Sequence, residues 1–235
     1  MAEKWASAYE RQHPAVAVTV QGGGSTAGVR AALSGAAQIG LSSRALTMDE
    51  SGQLRSVVVA RDGIALVVHP TNPLNGLARR QVERIYAGAF RSWSSVGGHD
   101  LRVTAITREE GSGTRAAFES LVMSKSQIAK STLVQDSSGA VRQMVSNDPA
   151  AIGYISIGLV DHSVKALRLD GAAPTEVAID AGQYPLVRPF LFLLPPAKSQ
   201  QSADFVAWVT GPQGRALARS EGLLPPSEEA SRALR

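Results

Sequence analysis

Apolar and polar positions along this chain switch between two periods. Trp5 and Tyr9 stand four apart within residues 2–12, on one face of a predicted helix, and Pro14 lies beyond its end. Ala15–Gln21 changes to a period of two, with Val16, Val18 and Val20 on one side, as in a half-buried strand. A glycine loop then opens a predicted helix at 25–34, and Gln38–Ser42 reads as a short strand. Thr47–Ala60 is expected to be helical, with Asp49 and Glu50 in the first turn, where the helix dipole favours them. Asp62–Pro70 is β-branched and strand-like, and Pro70, Pro73 and Gly76 punctuate the turn after it. The pattern then predicts a helix over Arg79–Ala87, a strand over Val103–Thr107, helices over Arg115–Met123 and Ser138–Ser146, and a strand over Gly153–Ile157. Val187–Leu194 is a long apolar strand, followed by a helix pair at Ala203–Thr210 and Gly214–Arg219 and a polar tail. Strands alternating with helices indicate an α/β fold with parallel sheets. No internal repeat and no low-complexity linker interrupts the pattern, so the halves of the molecule are expected to be joined by extended strands.

A βα unit begins with a strand, yet the first element here is a helix. Either helix 2–12 opens the fold in its own right, or a strand and its loop belong upstream of Ala2.

Composition narrows the function classes. The 235 residues are 44% hydrophobic and 19% charged, which is ordinary globular composition with ample length for a core. The net charge of +4 comes from scattered arginines with no aromatic interleaving, which speaks against nucleic acid and suits a small anion. Without cysteine, disulfides and thiolate metal sites are excluded. The four histidines (His13, His69, His99 and His162) lack ligand-like spacing, so no metal is expected. No stretch approaches the roughly 20 apolar residues that span a bilayer, and Met1 leads into Ala2-Glu3-Lys4-Trp5 with no apolar signal-peptide core.

Two loops carry the candidate chemistry, Gly22-Gly23-Gly24-Ser25-Thr26-Ala27-Gly28 and Gly111-Ser112-Gly113-Thr114-Arg115. Each pairs glycines with hydroxyls and runs into a predicted helix, whose N-terminus offers unpaired N–H groups and a partial positive charge. Two such loops suggest an anion held by neutral donors from both sides. Arg108 precedes the second loop with Glu109 and Glu110 beside it; a guanidinium can fork onto a tetrahedral anion while a carboxylate holds it in place. The bland alternative is a surface Arg–Glu pair worth little. The first loop also meets a relaxed dinucleotide fingerprint at Gly22, Gly24 and Ala27, so a nicotinamide-type cofactor and an enzyme built on Gly22–Gly28 is the competing reading. The strand after it ends in Ser42-Ser43-Arg44, with no carboxylate for a ribose before Asp49. Neither loop has the lysine of a phosphate-binding P-loop. Ser25 lies near a nucleophile-elbow pattern, but the second glycine is absent and no His–Asp pair supports it.

The chain resembles the phosphate-binding proteins of bacterial phosphate ABC transporters. The resemblance rests on Gln21–Val29, Ile39-Gly40-Leu41-Ser42-Ser43-Arg44, Arg108–Thr114, Ala151-Ile152-Gly153-Tyr154 and Tyr184–Pro189, in family order over nearly the whole chain. It implies a two-lobed type II periplasmic-binding-protein fold, with a first lobe of residues 1–65 and 188–235 and a second of 66–187, closing on one inorganic phosphate between them. It implies capture without chemistry, no cofactor, an extracytoplasmic location, and delivery to a permease and ATPase assembly, the only link to a membrane. Matched residue by residue, Ser25 and Thr26 belong to the first-lobe site, and Arg108, Ser112, Gly113 and Thr114 to the second. Ser43 stands where some members place an Asp that accepts a hydrogen bond from protonated phosphate, so discrimination against sulfate is expected to be weaker here. The family's first strand and its Ser/Thr loop would lie upstream of Ala2, and a chain lacking them is expected to bind poorly and to self-associate. A lobe that has lost its ligand and serves as a scaffold is a further alternative.

Overall fold

Helix α1 (Ala2–Gln12) turns Trp5, Ala6 and Tyr9 inward, and the Trp5 indole N–H donates to the Gly214 carbonyl at 2.9 Å. The computed structural model describes residues 1–196 and 199–226. Helix α2 (Gly24–Leu33), strand β1 (Gly40–Ser42) and the one-turn helix α3 (Met48–Ser51) lead to the long strand β2 (Arg55–Val68). Next come β3 (Gly76–Leu77), α4 (Arg79–Tyr86), a 3-10 turn at Trp93–Val96 and β4 (Thr104–Arg108). Helix α5 (Gly113–Phe118) runs on into a π-turn at Glu119–Met123, followed by β5 (Leu133–Gln135), α6 (Ser138–Asn147) and β6 (Ala151–Ser156). The remainder comprises β7 (Lys165–Ala166), β8 (Arg168–Leu169), α7 (Glu176–Asp180), β9 (Val187–Leu194), α8 (Gln200–Thr210) and α9 (Pro212–Ser220).

The described residues form two compact units, Met1–Asp62 with those from Pro189 onward, and Gly63–Arg188. Strands β2 and β9 run through both. In the first unit β1 pairs antiparallel with β9, which lies beside β2. Its core gathers Trp5 and Tyr9 of α1 with Phe192, Phe205 and Val209, and Trp5 meets Phe192 edge-on at 5.6 Å between ring centroids. In the second unit β2 pairs antiparallel with β6 and β7, while β6, β4 and β5 are parallel neighbours. Its core joins Val67, Ile106, Val141, Val145 and Ile155.

The expected all-parallel sheets are therefore mixed. Strand β2 runs against β6 and β7, and β9 runs against β1, and a period-two pattern carries no strand direction. The helix expected over Thr47–Ala60 is also overturned. A capping box of Thr47 and Glu50 starts α3, but Gly52 stops it and Val57-Val58-Val59 continues as strand β2, with Val57 and Val59 buried. Three consecutive β-branched residues fit a pleated surface better than a helix. The strand expected over Ala15–Gln21 joins no ladder: Ala15 lies in a turn and residues 16–21 are outside any strand, although Val16, Val18 and Val20 alternate half-buried with exposed neighbours. The polar tail lies, from residue 227, outside the described residues.

Candidate functional site

The first glycine loop owes its shape to Gly23 and Gly24, at φ 133° and 78°, which β-carbons would oppose. Gly23 is the N-cap of α2, and no side chain caps the amides of that helix's first turn. Ser25, in that turn, is 3% exposed. Its Oγ accepts the Ser43 N–H at 2.9 Å and lies 3.3 Å from Ser43 Oγ. Ser25 and Ser43, eighteen residues apart in sequence, are thus brought together, with half-buried Thr26 beside them on α2. Gly28 and Gly40 have a different task. A β-carbon at Gly28 would stand 2.2 Å from the Leu41 carbonyl oxygen, and one at Gly40 2.3 Å from the Gly28 carbonyl oxygen. Helix α2 can therefore lie directly on β1, and Gly28 is accounted for without a cofactor. Arg44, next to Ser43, turns to Glu50 in a forked pair at 2.7 and 2.8 Å. Those hydrogen bonds hold the Glu50 carboxyl at about 2, well below its ordinary range, so the pair is charged and mutually neutralised.

In the second unit Arg108 ends β4. Its Nε and Nη2 fork onto Glu109 at 2.8 and 2.9 Å, Nη1 donates to Ser138 Oγ at 3.1 Å, and Nη2 also donates to the Asp136 carbonyl at 3.1 Å. A guanidinium has five N–H donors. Four are taken, and one Nη1–H has no acceptor among the described residues. The side chain is 12% exposed, so this is not a loose surface pair. Strand β5, which the pattern of the sequence did not reveal, supplies part of this cradle: Arg108 lies opposite Gln135, placing Asp136 and Ser138 within reach.

Ser112 caps α5 by accepting the Arg115 N–H at 3.3 Å, and Thr114 Oγ1 accepts from Nη1 of Arg188. Both residues are buried, as is Gly113. Each hydroxyl has its acceptor side occupied by an N–H, which leaves its own proton to be donated. Neither proton has an acceptor among the described residues. Arg188, itself 4% exposed, was missed by sequence reasoning; it sits in the Tyr184–Pro189 motif read only as a strand. Beneath the site, Tyr154 of β6 stacks on Phe118 at 4.1 Å, accepts the Arg108 N–H at 3.3 Å, and shares a 2.6 Å hydrogen bond with Thr107. Burial pushes its hydroxyl up to about 12, so it stays a neutral anchor for the end of β4. A β-carbon at Gly153 would meet Val141 at 2.5 Å, which explains the glycine in Ala151-Ile152-Gly153-Tyr154 as packing of α6 on β6.

Each unit thus presents neutral hydroxyl and amide donors, and the second adds a positioned guanidinium. Among the described residues no group of histidine, aspartate and glutamate could hold a metal ion. The model of the PBP superfamily domain matches residues 1–213. A Clostridium perfringens protein described as a phosphate ABC transporter substrate-binding protein, solved with bound phosphate, superposes with a TM-score of 0.90 at 32% identity, covering 96% of this chain and 94% of that one. The chain belongs to the PstS-like family of the periplasmic-binding-protein superfamily. An ABC-type phosphate transport receptor from Vibrio cholerae gives a TM-score of 0.85 at 38% identity over 96% of this chain and 95% of its own. The PstS phosphate-binding protein of Bacillus subtilis is 31% identical over 77% of the chain, and the match spans 61% of that relative's length. The two-lobed fold of the PstS-like family is the one expected from the motif order.

Proposed function

We propose that the chain binds inorganic phosphate and delivers it to an ABC-type import system, acting outside the cytoplasm and catalysing no reaction. The observation that carries this reading is the donor economy of the second unit. The guanidinium of Arg108 is braced by Glu109, Ser138 and Asp136 with one N–H uncommitted, beside two buried hydroxyls whose protons have no protein acceptor. Buried donors are normally paired, and unpaired ones mark a missing partner. An oxyanion satisfies all three, and Gly113 lets it approach the amides that open α5. Ser25, Thr26 and Ser43 are the proposed donors from the first unit. The relatives named above, described as phosphate-binding or phosphate-transport proteins, support phosphate among the tetrahedral anions. Permease and ATPase partners follow from the same transport role. Among the described residues no helix is long and apolar enough to cross a membrane.

The test is a calorimetric titration with phosphate, sulfate and NAD in parallel. The reading expects saturable phosphate binding at one site, and saturable NAD binding without a phosphate response would overturn it.

A further inference from the structure

Arg188, near the start of β9, is 4% exposed and is not among the proposed phosphate donors. Burying a guanidinium is costly unless its donors are used. Its Nη1 donates to Oγ1 of Thr114, 74 positions away in the chain and equally buried. Both residues belong to the second unit. A threonine hydroxyl is ordinarily two-faced, since it can donate its proton or turn it aside and accept. A guanidinium carries donors only. With an Nη1–H directed at it, Oγ1 is held as the acceptor of that bond, and its own proton is turned away from Arg188. A charged donor also makes a stronger bond than the amide cap that Ser112 receives from Arg115 at 3.3 Å, and it polarises the hydroxyl towards donation.

We infer that Arg188 is a positioning residue that holds the Thr114 hydroxyl as a donor, so that the phosphate oxygen meeting Thr114 has to be unprotonated. The inference rests on the phosphate reading above and adds to it a selectivity for protonation state. A dianion can present a bare oxygen to Thr114 in more orientations than a monoanion, whose P–OH must be turned elsewhere. A protonated oxygen at this position would set two protons against each other, with a cation behind one of them. The charged and titratable groups around the pair come from four elements. On α5, Arg115 is paired with Glu119 at 2.9 Å and gives Nη1 to the Arg108 carbonyl at 3.1 Å. On β4, Arg108 is forked onto Glu109, and on β6 the Tyr154 hydroxyl stays neutral because burial pushes it up to about 12. Strand β2, beside β9 in the sheet, contributes the buried Asp62. Among the described residues no histidine hydrogen-bonds to any of these groups. Phosphate itself passes from monoanion to dianion near neutral pH, so the selectivity reads out there.

The test is calorimetric titration with inorganic phosphate at about pH 5.5 and about pH 8.5, on the unaltered protein, Arg188→Lys and Arg188→Gln. Lysine also carries donors only, whereas a glutamine amide can donate or accept and so releases the hydroxyl. Arg188→Gln should lose affinity by about 3- to 10-fold at the higher pH, the worth of one hydrogen bond, and by less than about twofold at the lower. Arg188→Lys should keep the wild-type ratio between the two. In a Thr114→Val background the glutamine change should leave that ratio unaltered, as a residue acting through the hydroxyl requires. An equal loss at both pH values, a lysine variant whose ratio falls with that of glutamine, or the same shift in the valine background overturns the proposal. If a variant does not fold, neutron diffraction of the unaltered protein with phosphate decides. A deuteron on Thr114 Oγ1 directed at a bare phosphate oxygen supports the proposal, and a deuterated oxygen facing Thr114 overturns it. An unaltered protein that binds no phosphate at either pH overturns the anion reading itself, whereas binding with an unchanged ratio in Arg188→Gln overturns only the role of Arg188.

Discussion

Replacing Arg108 by alanine removes the one charged donor in the proposed site, and its effect follows from the contacts. Four guanidinium N–H groups hold the side chain to Glu109, Ser138 and Asp136, and one remains for an anion. A hydrogen bond to a charged group contributes about 1.5–3 kcal/mol, so losing it should weaken phosphate binding about 10- to 150-fold. Pre-organisation favours the upper half of that range, because the wild-type fork spends little entropy on alignment. The fold should survive. Glu109 is 34% exposed and can be solvated when its partner leaves, and the apolar core beneath β4 is untouched, which limits the stability loss to about 1 kcal/mol. Arg108→Lys keeps the charge but not the fork onto Glu109, and should fall between wild type and alanine. Calorimetry at fixed pH and salt, with circular dichroism to confirm folding, reads both effects. A folded Arg108→Ala protein that binds phosphate with wild-type affinity would refute the role given to this residue.

Ser43→Asp should sharpen the preference for phosphate over sulfate, because a carboxylate accepts from protonated phosphate and repels sulfate; competition titrations before and after the change test this. If sulfate at about a thousandfold excess displaces no phosphate from the unaltered protein, Ser43 is not the discriminating position. Gly28→Ala should destabilise the first unit by about 1–3 kcal/mol in a urea melt, since the new β-carbon would meet the Leu41 backbone at 2.2 Å. Glu50 is held at about 2 in the folded chain against 4.5 for the free side chain, chiefly by hydrogen bonds from Arg44. A lowered folded-state value gives stability that is fully present above about pH 4.5 and is lost as pH falls through about 2. Glu50→Gln should therefore lower the melting temperature at pH 6, by about 1 kcal/mol of stability for a forked pair that is partly exposed, with the gap closing between pH 4.5 and 2.

Much of this architecture was legible because its signals are local. The i, i+4 pair of Trp5 and Tyr9, the glycine before α2 and the apolar run Phe190–Leu194 of β9 each predict their element within a residue or two. Direction and pairing were not legible, since antiparallel pairing of β2 with β6 depends on a partner about ninety residues away in the chain. Thr47–Ala60 failed because a good capping box starts a helix that Gly52 and three valines then stop. At the site, hydroxyls and glycines announced the two loops. Arg188 was hidden because an arginine inside a hydrophobic strand motif looks like a surface interruption until Thr114 is seen to receive its N–H. Gly28 and Gly153 were visible as glycines, but their reason, a helix resting on a strand, requires the packed structure.

The central claim is that the chain takes up one inorganic phosphate through the proposed hydroxyl and guanidinium donors. Titrating the protein with phosphate by isothermal calorimetry, alone and with Ser25→Ala and Thr114→Val variants, tests it most directly. The account predicts a single site per chain in the unaltered protein, with weaker binding in both variants. No saturable heat with phosphate up to millimolar concentrations, or a site indifferent to either substitution, would contradict it.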